Sequence, residues 1–162
     1  MLITQDMIDF IVLLKRHRVK YAVVGGFAVI LYGNIRTTQD LDFLIYPSQK
    51  NARKMIRALE DFGFGGVGLT QDIFTREGTA IHLGAEPNRI DILTSLKDAS
   101  NDLIFSHLRR IRYKGLTLNV ISRKDLMTSK RHSTRLKDRA DVEILEKTTT
   151  KKNLHHKRRS PQ

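Results

Sequence analysis

The segment Val23 to Ile45, VVGGFAVILYGNIRTTQDLDFLI, restricts what this chain can fold into more than any other stretch. Tyr21 to Val24 is a short apolar, β-prone run that ends in Gly25-Gly26, the pattern of a buried strand meeting a tight turn. Phe27 to Tyr32 then reads as a short helix stopped by Gly33-Asn34. Leu41 to Tyr46 reads as a second strand, closed by Pro47. Residues two apart on a strand share a face, so Asp40 and Asp42 are expected to project together while Leu41 and Phe43 enter the core. Two adjacent carboxylates repel each other and are costly to desolvate unless a cation lies between them. Their hard oxygen ligands suit Mg²⁺ or Mn²⁺ held together with substrate phosphates. Arg89-Ile-Asp-Ile-Leu93 has a similar design, with Asp91 the lone acid of an apolar strand. An acid is a poor choice for a core, so Asp91 is expected to face a site shared with Asp40 and Asp42. The plainer alternative is a solvated strand face that binds nothing. Against it stand the acid pair, the third acid on another strand, and a glycine turn whose backbone can approach phosphates at a helix N-terminus.

The remaining elements are read more coarsely. Gln5 to Arg18 carries Met7, Phe10, Ile11, Leu13 and Leu14 at helical spacing. Ser48 is placed to cap a helix whose inward stripe is Ala52, Met55, Ile56 and Leu59. Phe62 to Gly68 holds four glycines and reads as a loop, without the spacing of a dinucleotide fingerprint or a phosphate loop. Thr79 to Leu83 and Arg89 to Leu93 are expected strands, and Ala99 to Leu108 an expected helix. Arg110 to Tyr113 and Leu116 to Ile121 form an expected hairpin around Lys114-Gly115. Ser122 caps a helix to about Arg131, and Arg135 to Lys147 forms the last one. The mixture, without internal repeats, implies one α+β domain over residues 1–147 and a tail over 148–162.

Composition narrows the function classes. The absence of cysteine removes disulfides, thiolate metal sites and cysteine nucleophiles. No apolar run reaches the roughly 18 residues that span a bilayer, and the acidic start, Met1 to Phe10, does not read as a secretory signal. A cytoplasmic protein without membrane partners is the expectation. Lys and Arg number 29 against 17 Asp and Glu, for a net charge of +12, a balance that attracts polyanions. Half of that excess lies from Lys147 to Gln162, in a tail nearly devoid of apolar residues and expected to be disordered. Such a tail serves equally as a solubilising end or as a nucleic-acid arm. Its adjacent His155 and His156 are more often incidental than metal ligands.

Gly25-Gly26, Arg36-Thr37-Thr38, Asp40-x-Asp42 and Asp91 together resemble the polymerase-β-like nucleotidyltransferase superfamily. The small AbiEii-type toxin nucleotidyltransferases are the most similar branch. The resemblance continues through Asp125-Leu-Met-Thr-Ser-Lys130 and Arg135-Leu-Lys-Asp138-x-x-Asp141, and covers roughly Tyr21 to Glu146. It implies a nucleotidyltransferase-like mixed β-sheet flanked by helices, with a short helical C-terminal end. The implied reaction is Mg²⁺-dependent (or Mn²⁺-dependent) transfer of NMP from an NTP to an acceptor hydroxyl, with pyrophosphate leaving. The implied metal ligands and catalytic residues are Asp40, Asp42 and Asp91, the last helping to activate the acceptor. Gly25 and Gly26 would cradle the triphosphate, Arg36 and Thr38 would reach phosphates, and Lys130 would contact the base or triphosphate. For Lys130, a solvated lysine on an amphipathic helix is the equal alternative. The sequence departs from many members in having Gly-Gly rather than Gly-Ser and thirteen residues between Gly26 and Asp40, which is similar to the toxin and tRNA-end-processing branches. No large second domain is present, so acceptor recognition is missing or supplied by a protein partner, as in a toxin-antitoxin pair.

Acceptors left open are RNA, including tRNA ends, a protein hydroxyl and a small aminoglycoside-like molecule. The basic stretches Arg109 to Lys114 and Arg131 to Lys137 would line a groove for RNA or nucleotide, or form solvated faces. A non-catalytic nucleotide- or nucleic-acid-binding protein that keeps the fold is the main alternative. A Ser/His/Asp hydrolase is the weakest, because His82, His107 and His132 are scattered without a nucleophile turn. His82 on an apolar strand reads as a satisfied, half-buried residue.

Overall fold

A computed structural model describes residues 3–157 other than Pro87 and His132, with side chains described through residue 147. Helix α1 (Gln5–Arg16) opens on Thr4, whose side chain accepts from the Met7 N–H, and its apolar stripe of Met7, Phe10, Ile11 and Leu14 is fully buried. Next come strand β1 (Tyr21–Val23), helix α2 (Gly25–Leu31) and strand β2 (Leu41–Ile45). Ser48 caps helix α3 (Gln49–Leu59) through the Asn51 N–H, and Ala52, Met55 and Leu59 are buried as the periodicity requires. Ile56 is only partly buried.

The glycine-containing stretch after α3 is more ordered than a plain loop. A π-type turn occupies Glu60–Phe64, and Gly63 takes φ 104° at its kink. Phe62 packs on Phe10 with centroids 4.9 Å apart, so an aromatic anchor fixes a segment whose glycines suggest only flexibility. A short helix α4 (Gln71–Thr75), absent from the sequence expectation, buries Phe74. Its five residues are too few for a periodic signal.

Strands β3 (Ala80–Leu83) and β4 (Ile90–Leu93), helix α5 (Asn101–Ser106) and the hairpin β5 (Arg109–Tyr113) and β6 (Leu116–Val120) complete the sheet. The hairpin turns through Lys114 and Gly115, both at positive φ, as two-residue turns of matching twist demand. The six strands run in the order β3-β4-β2-β1-β6-β5. β1 runs antiparallel to β2 and parallel to β6, while β2 and β4 are parallel. The domain is therefore a mixed α+β sheet flanked by helices. One face is filled by Phe43, against which Phe10 and Tyr21 set their ring edges at 5.5 and 5.6 Å. Each such buried side chain contributes about 1.5–3 kcal/mol.

The helical end consists of α6 (Arg123–Arg131) and α7 (Leu136–Lys157). Ser122 Oγ accepts from the Asp125 N–H and fixes the start of α6. Helix α7 continues beyond the expected end at Lys147 into the segment read as a tail. The disordered basic arm expected there rests on side chains from residue 148 onward and on residues 158–162, which lie outside the described residues. Among the described residues, no helix is long and apolar enough to cross a membrane.

Candidate active site

Strand register brings the carboxylates together. On the parallel pair β2 and β4, Asp42 stands directly beside Asp91, while Asp40, just before β2, shares Asp42's face. Gly25, at φ 62°, backs onto this pair, and a side-chain carbon at this position would overlap Asp42 Oδ2. Only glycine suits both that backbone region and that approach. Helix α2 begins at this glycine, earlier than the apolar pattern from Phe27 indicates.

The three acids open on a cleft of about 610 Å³, lined also by Gly25, Gly26, Arg36, Thr38 and Lys130. The eight residues to which the resemblance gives a metal or nucleotide role thus line one cavity. Burial, reinforced by Asp91 and Asp40, pushes the Asp42 carboxyl up to about 6. Burial also raises Asp40, against the opposing pull of Arg89. One oxygen of Asp40, Oδ1, is buried without a hydrogen-bond partner among the described residues.

Sequence reasoning missed Arg89. Its Nε donates to Asp91 Oδ1 at 2.7 Å and its Nη2 to Asp91 Oδ2 at 3.0 Å, a forked clamp. The same Nη2 reaches Asp40 at 3.3 Å, and Nη1 reaches Glu86 at 3.2 Å. The signal was available: Arg89 and Asp91 are two apart and share a face. His82, read as merely satisfied, pairs across the strands with Asp91, and its Nδ1 lies 2.7 Å from Asp91 Oδ1. It is half exposed and belongs to the site.

A second charged group closes the other wall. Lys130, buried in α6, lies 2.6 Å from Asp138 and 2.8 Å from Asp141 on α7. Arg36 Nε meets the same Asp141 at 2.9 Å. Burial alone would raise Asp138, but the bonds from Lys130 and Ser133 hold it below its ordinary range. Lys130 lines the cleft, but it is buried with its ammonium engaged in joining two helices, so it is not the solvated lysine of the plainer reading. Arg36 runs against Gly26, where a side-chain carbon would overlap its Nη1. That Nη1 is buried with no acceptor among the described residues. Exposed Arg135 and Lys137 add positive charge to the rim.

These donors fit a hard divalent cation in chemistry: three carboxylates on adjoining strands, one with an orphaned oxygen. Arg89 bridges two of them, Asp40 and Asp91. Among the described residues, no three His, Cys, Asp or Glu side chains form a ready metal cluster.

No curated protein matches the chain. Solved structures that share its fold include the following two. The crystal structure of lincosamide antibiotic adenylyltransferase LnuA, lincomycin-bound, aligns over 89% of this chain and 97% of its own at 20% identity and a TM-score of 0.56. The solution structure of antibiotic-resistance factor ANT(2'')-Ia aligns over 94% of this chain and 90% of its own at 10% identity and a TM-score of 0.56. The family described as "Nucleotidyltransferase of unknown function (DUF6036)" matches residues 3–152, and the chain belongs to that family.

Proposed function

We propose that the cleft transfers NMP from an NTP to an acceptor hydroxyl in a reaction requiring Mg²⁺ or Mn²⁺. The observation that carries this reading is the convergence of Asp40, Asp42 and Asp91 beside the Gly25-Gly26 turn. The acceptor oxygen would bond to the α-phosphorus, the bond to the β-phosphate oxygen would break, and pyrophosphate would leave with that electron pair. The Gly25-Gly26 turn would cradle the triphosphate, and Arg36 and Thr38 would reach the phosphates by turning outward from Gly26 and from the Asp40 carbonyl. Asp91 takes the acceptor proton, for which it must exchange a bond from Arg89 or His82 for one from the acceptor. Asp40 and Asp42 would hold the divalent ion, with Asp91 sharing it, and the ion would supply charge stabilisation to the transferring phosphate. Lys130 has a supporting part, since Asp138 and Asp141 claim its ammonium.

The acceptors within this proposal are RNA, including tRNA ends, a protein hydroxyl and a small polyhydroxylated molecule. The last is suggested by the antibiotic-acting proteins that share the fold. The link to AbiEii-type toxins, and with it an antitoxin partner and a cytoplasmic setting, rests on the sequence motifs described above. A second reading has one observation in its favour: Arg89 already offsets part of the acid charge through Asp40 and Asp91, as it would in a non-catalytic nucleotide- or nucleic-acid-binding protein.

Incubation with α-labelled NTPs, Mg²⁺ and either total RNA or a panel of aminoglycosides and lincosamides separates the two. Transfer predicts a labelled acceptor that disappears in Asp42→Asn. Nucleotide-dependent thermal stabilisation without any labelled product would favour the binding protein. Absence of any nucleotide-dependent shift in Mg²⁺ would overturn the site itself.

A further inference from the structure

Between Asp102 and Asp125 the chain contains no acid and six Lys or Arg residues: Arg109, Arg110, Arg112, Lys114, Arg123 and Lys124. All but Arg123 are exposed. Four of them lie on β5 and its turn, at one edge of the sheet. None of those four, nor Lys124, has a carboxylate within ion-pairing distance among the described residues.

Alternation along β5 distributes this charge over both faces. Arg110 and Arg112 stand on one face, opposite Asn119 and Thr117 of β6. Arg109 stands on the other and lines a pocket of about 740 Å³ with Arg123 and Lys124 from the start of α6. Tyr32 forms part of that pocket's wall, and the Arg123 guanidinium lies 5.1 Å from its ring centroid. Leu108 and Met127 add apolar surface. The carboxylate closest in sequence, Asp125, is held by Ser122 Oγ at 2.5 Å and by His107 at 3.3 Å.

Charged edge strands often serve only to prevent sheet-to-sheet association. That purpose does not account for this edge. The opposite edge strand, β3, has the sequence AIHL and carries no Lys or Arg, and edge protection gives no reason for α6 to add two more cations to the same pocket. Arginines that converge on a cavity with an aromatic wall match phosphates and stacked bases together. An acidic peptide would use the charge but leave the ring platform idle.

We propose that the β5–β6 hairpin and the adjoining pocket bind single-stranded nucleic acid, with phosphates along Arg110 and Arg112 and a base in the pocket beside Tyr32 and Arg123. Helix α6 joins this pocket to the cleft, since Arg123 and Lys124 line the first and Lys130 the second. The separation along the helix axis is about 10 Å. The surface is thus placed to present a strand to the proposed transfer site, and the binding itself requires no transfer.

The test uses the full chain and fluorescence anisotropy with labelled oligouridylate and oligothymidylate. Arg110→Glu/Arg112→Glu and Lys124→Glu are each expected to weaken binding by about tenfold or more and to make its salt dependence shallower. The control Lys50→Glu/Arg53→Glu makes the same change of net charge as the hairpin double variant on the exposed side of α3, and it should weaken binding by less than about threefold. Equal losses in hairpin and control variants would reduce the effect to bulk charge and overturn the proposal. Competition by polyglutamate as effective as that by oligonucleotide would also overturn it. Preference between the two oligonucleotides assigns RNA or DNA. Nucleotide-dependent melting of each variant, measured alongside, reports folding and the cleft, so loss of binding with an intact melt locates the defect on the hairpin. Failure of transfer in wild type that still binds oligonucleotide would count against the transfer reading alone.

Discussion

Two charged groups face each other across the cleft, and they are built on opposite terms. On the α6–α7 wall, Lys130 and Arg36 meet Asp138 and Asp141, two cations for two acids at 2.6–2.9 Å. The acid corner of β2 and β4 holds Asp40, Asp42 and Asp91 against the single strong cation Arg89, with His82 as a titratable neighbour. The first group lowers Asp138 from its ordinary range, while the second raises Asp42 to about 6, chiefly through burial. A balanced network is a clamp, whereas an excess of desolvated acid is a standing demand for positive charge. The clamp also shapes the cleft, because Arg36 joins it through Asp141 while its Nη1 stays against Gly26.

The sharpest way to separate the two is to remove one charge from each. Asp42→Asn is expected to lower NMP transfer by about a thousandfold or more, since several kcal/mol of transition-state stabilisation depend on the ion it would hold. Its fold should persist, as judged by circular dichroism. Lys130→Met should do the reverse and unfold at lower urea, at a cost of about 3–5 kcal/mol, because it leaves buried Asp141 short of a partner. Adding Asp141→Asn to that variant should recover part of the loss. If Lys130→Met keeps its stability and loses only nucleotide affinity, the clamp is instead a ligand contact.

Arg89 tests the demand for charge directly. Arg89→Gln should lower the stability of the metal-free protein in denaturant unfolding, because Asp91 loses its forked partner. It should also tighten Mn²⁺ binding followed by electron paramagnetic resonance, because the resident competitor is gone. Weaker Mn²⁺ binding would make Arg89 a residue that orients Asp91 for the ion. Gly25→Ala should cost about 1–3 kcal/mol through its positive φ and displace Asp42, read as a lower melting temperature together with reduced transfer.

The smallest effect is one of pH. Asp42 has a higher pKa folded than its ordinary 3.8, so the folded protein binds more protons than the unfolded one between pH 3.8 and about 6. Stability without metal should therefore fall as pH rises through that window. Asp42→Asn should match wild type near pH 4 and exceed it by about 1–2 kcal/mol above pH 6, after allowance for partial exposure. Mg²⁺ with NTP should reverse that order. Parallel stability curves for the two proteins across the window would show that Asp42 is not under strain.

Much of this site was legible in the residues themselves. Strand periodicity placed Asp40 and Asp42 on one face, an acid within an apolar strand marked Asp91, and paired glycines marked the close approach at Gly25 and Gly26. Those signals are local, because the side-chain alternation of a strand and the backbone freedom of glycine belong to the segment that carries them. The sequence also determined the capped helices at Ser48 and Ser122 and the hairpin turn at Lys114-Gly115, while the Thr4 cap of α1 emerged from the structure. Only the tertiary structure decided that Asp42 and Asp91 are neighbours, because that depends on β2 pairing in parallel with β4 across forty-odd residues of intervening chain. It likewise turned Lys130 from a free cation into one shared by Asp138 and Asp141, turned Arg89 into the corner's own counter-charge, and made His82 a partner of Asp91. Charge partners are chosen by distance in space, and a sequence read one segment at a time records the charges without the distances.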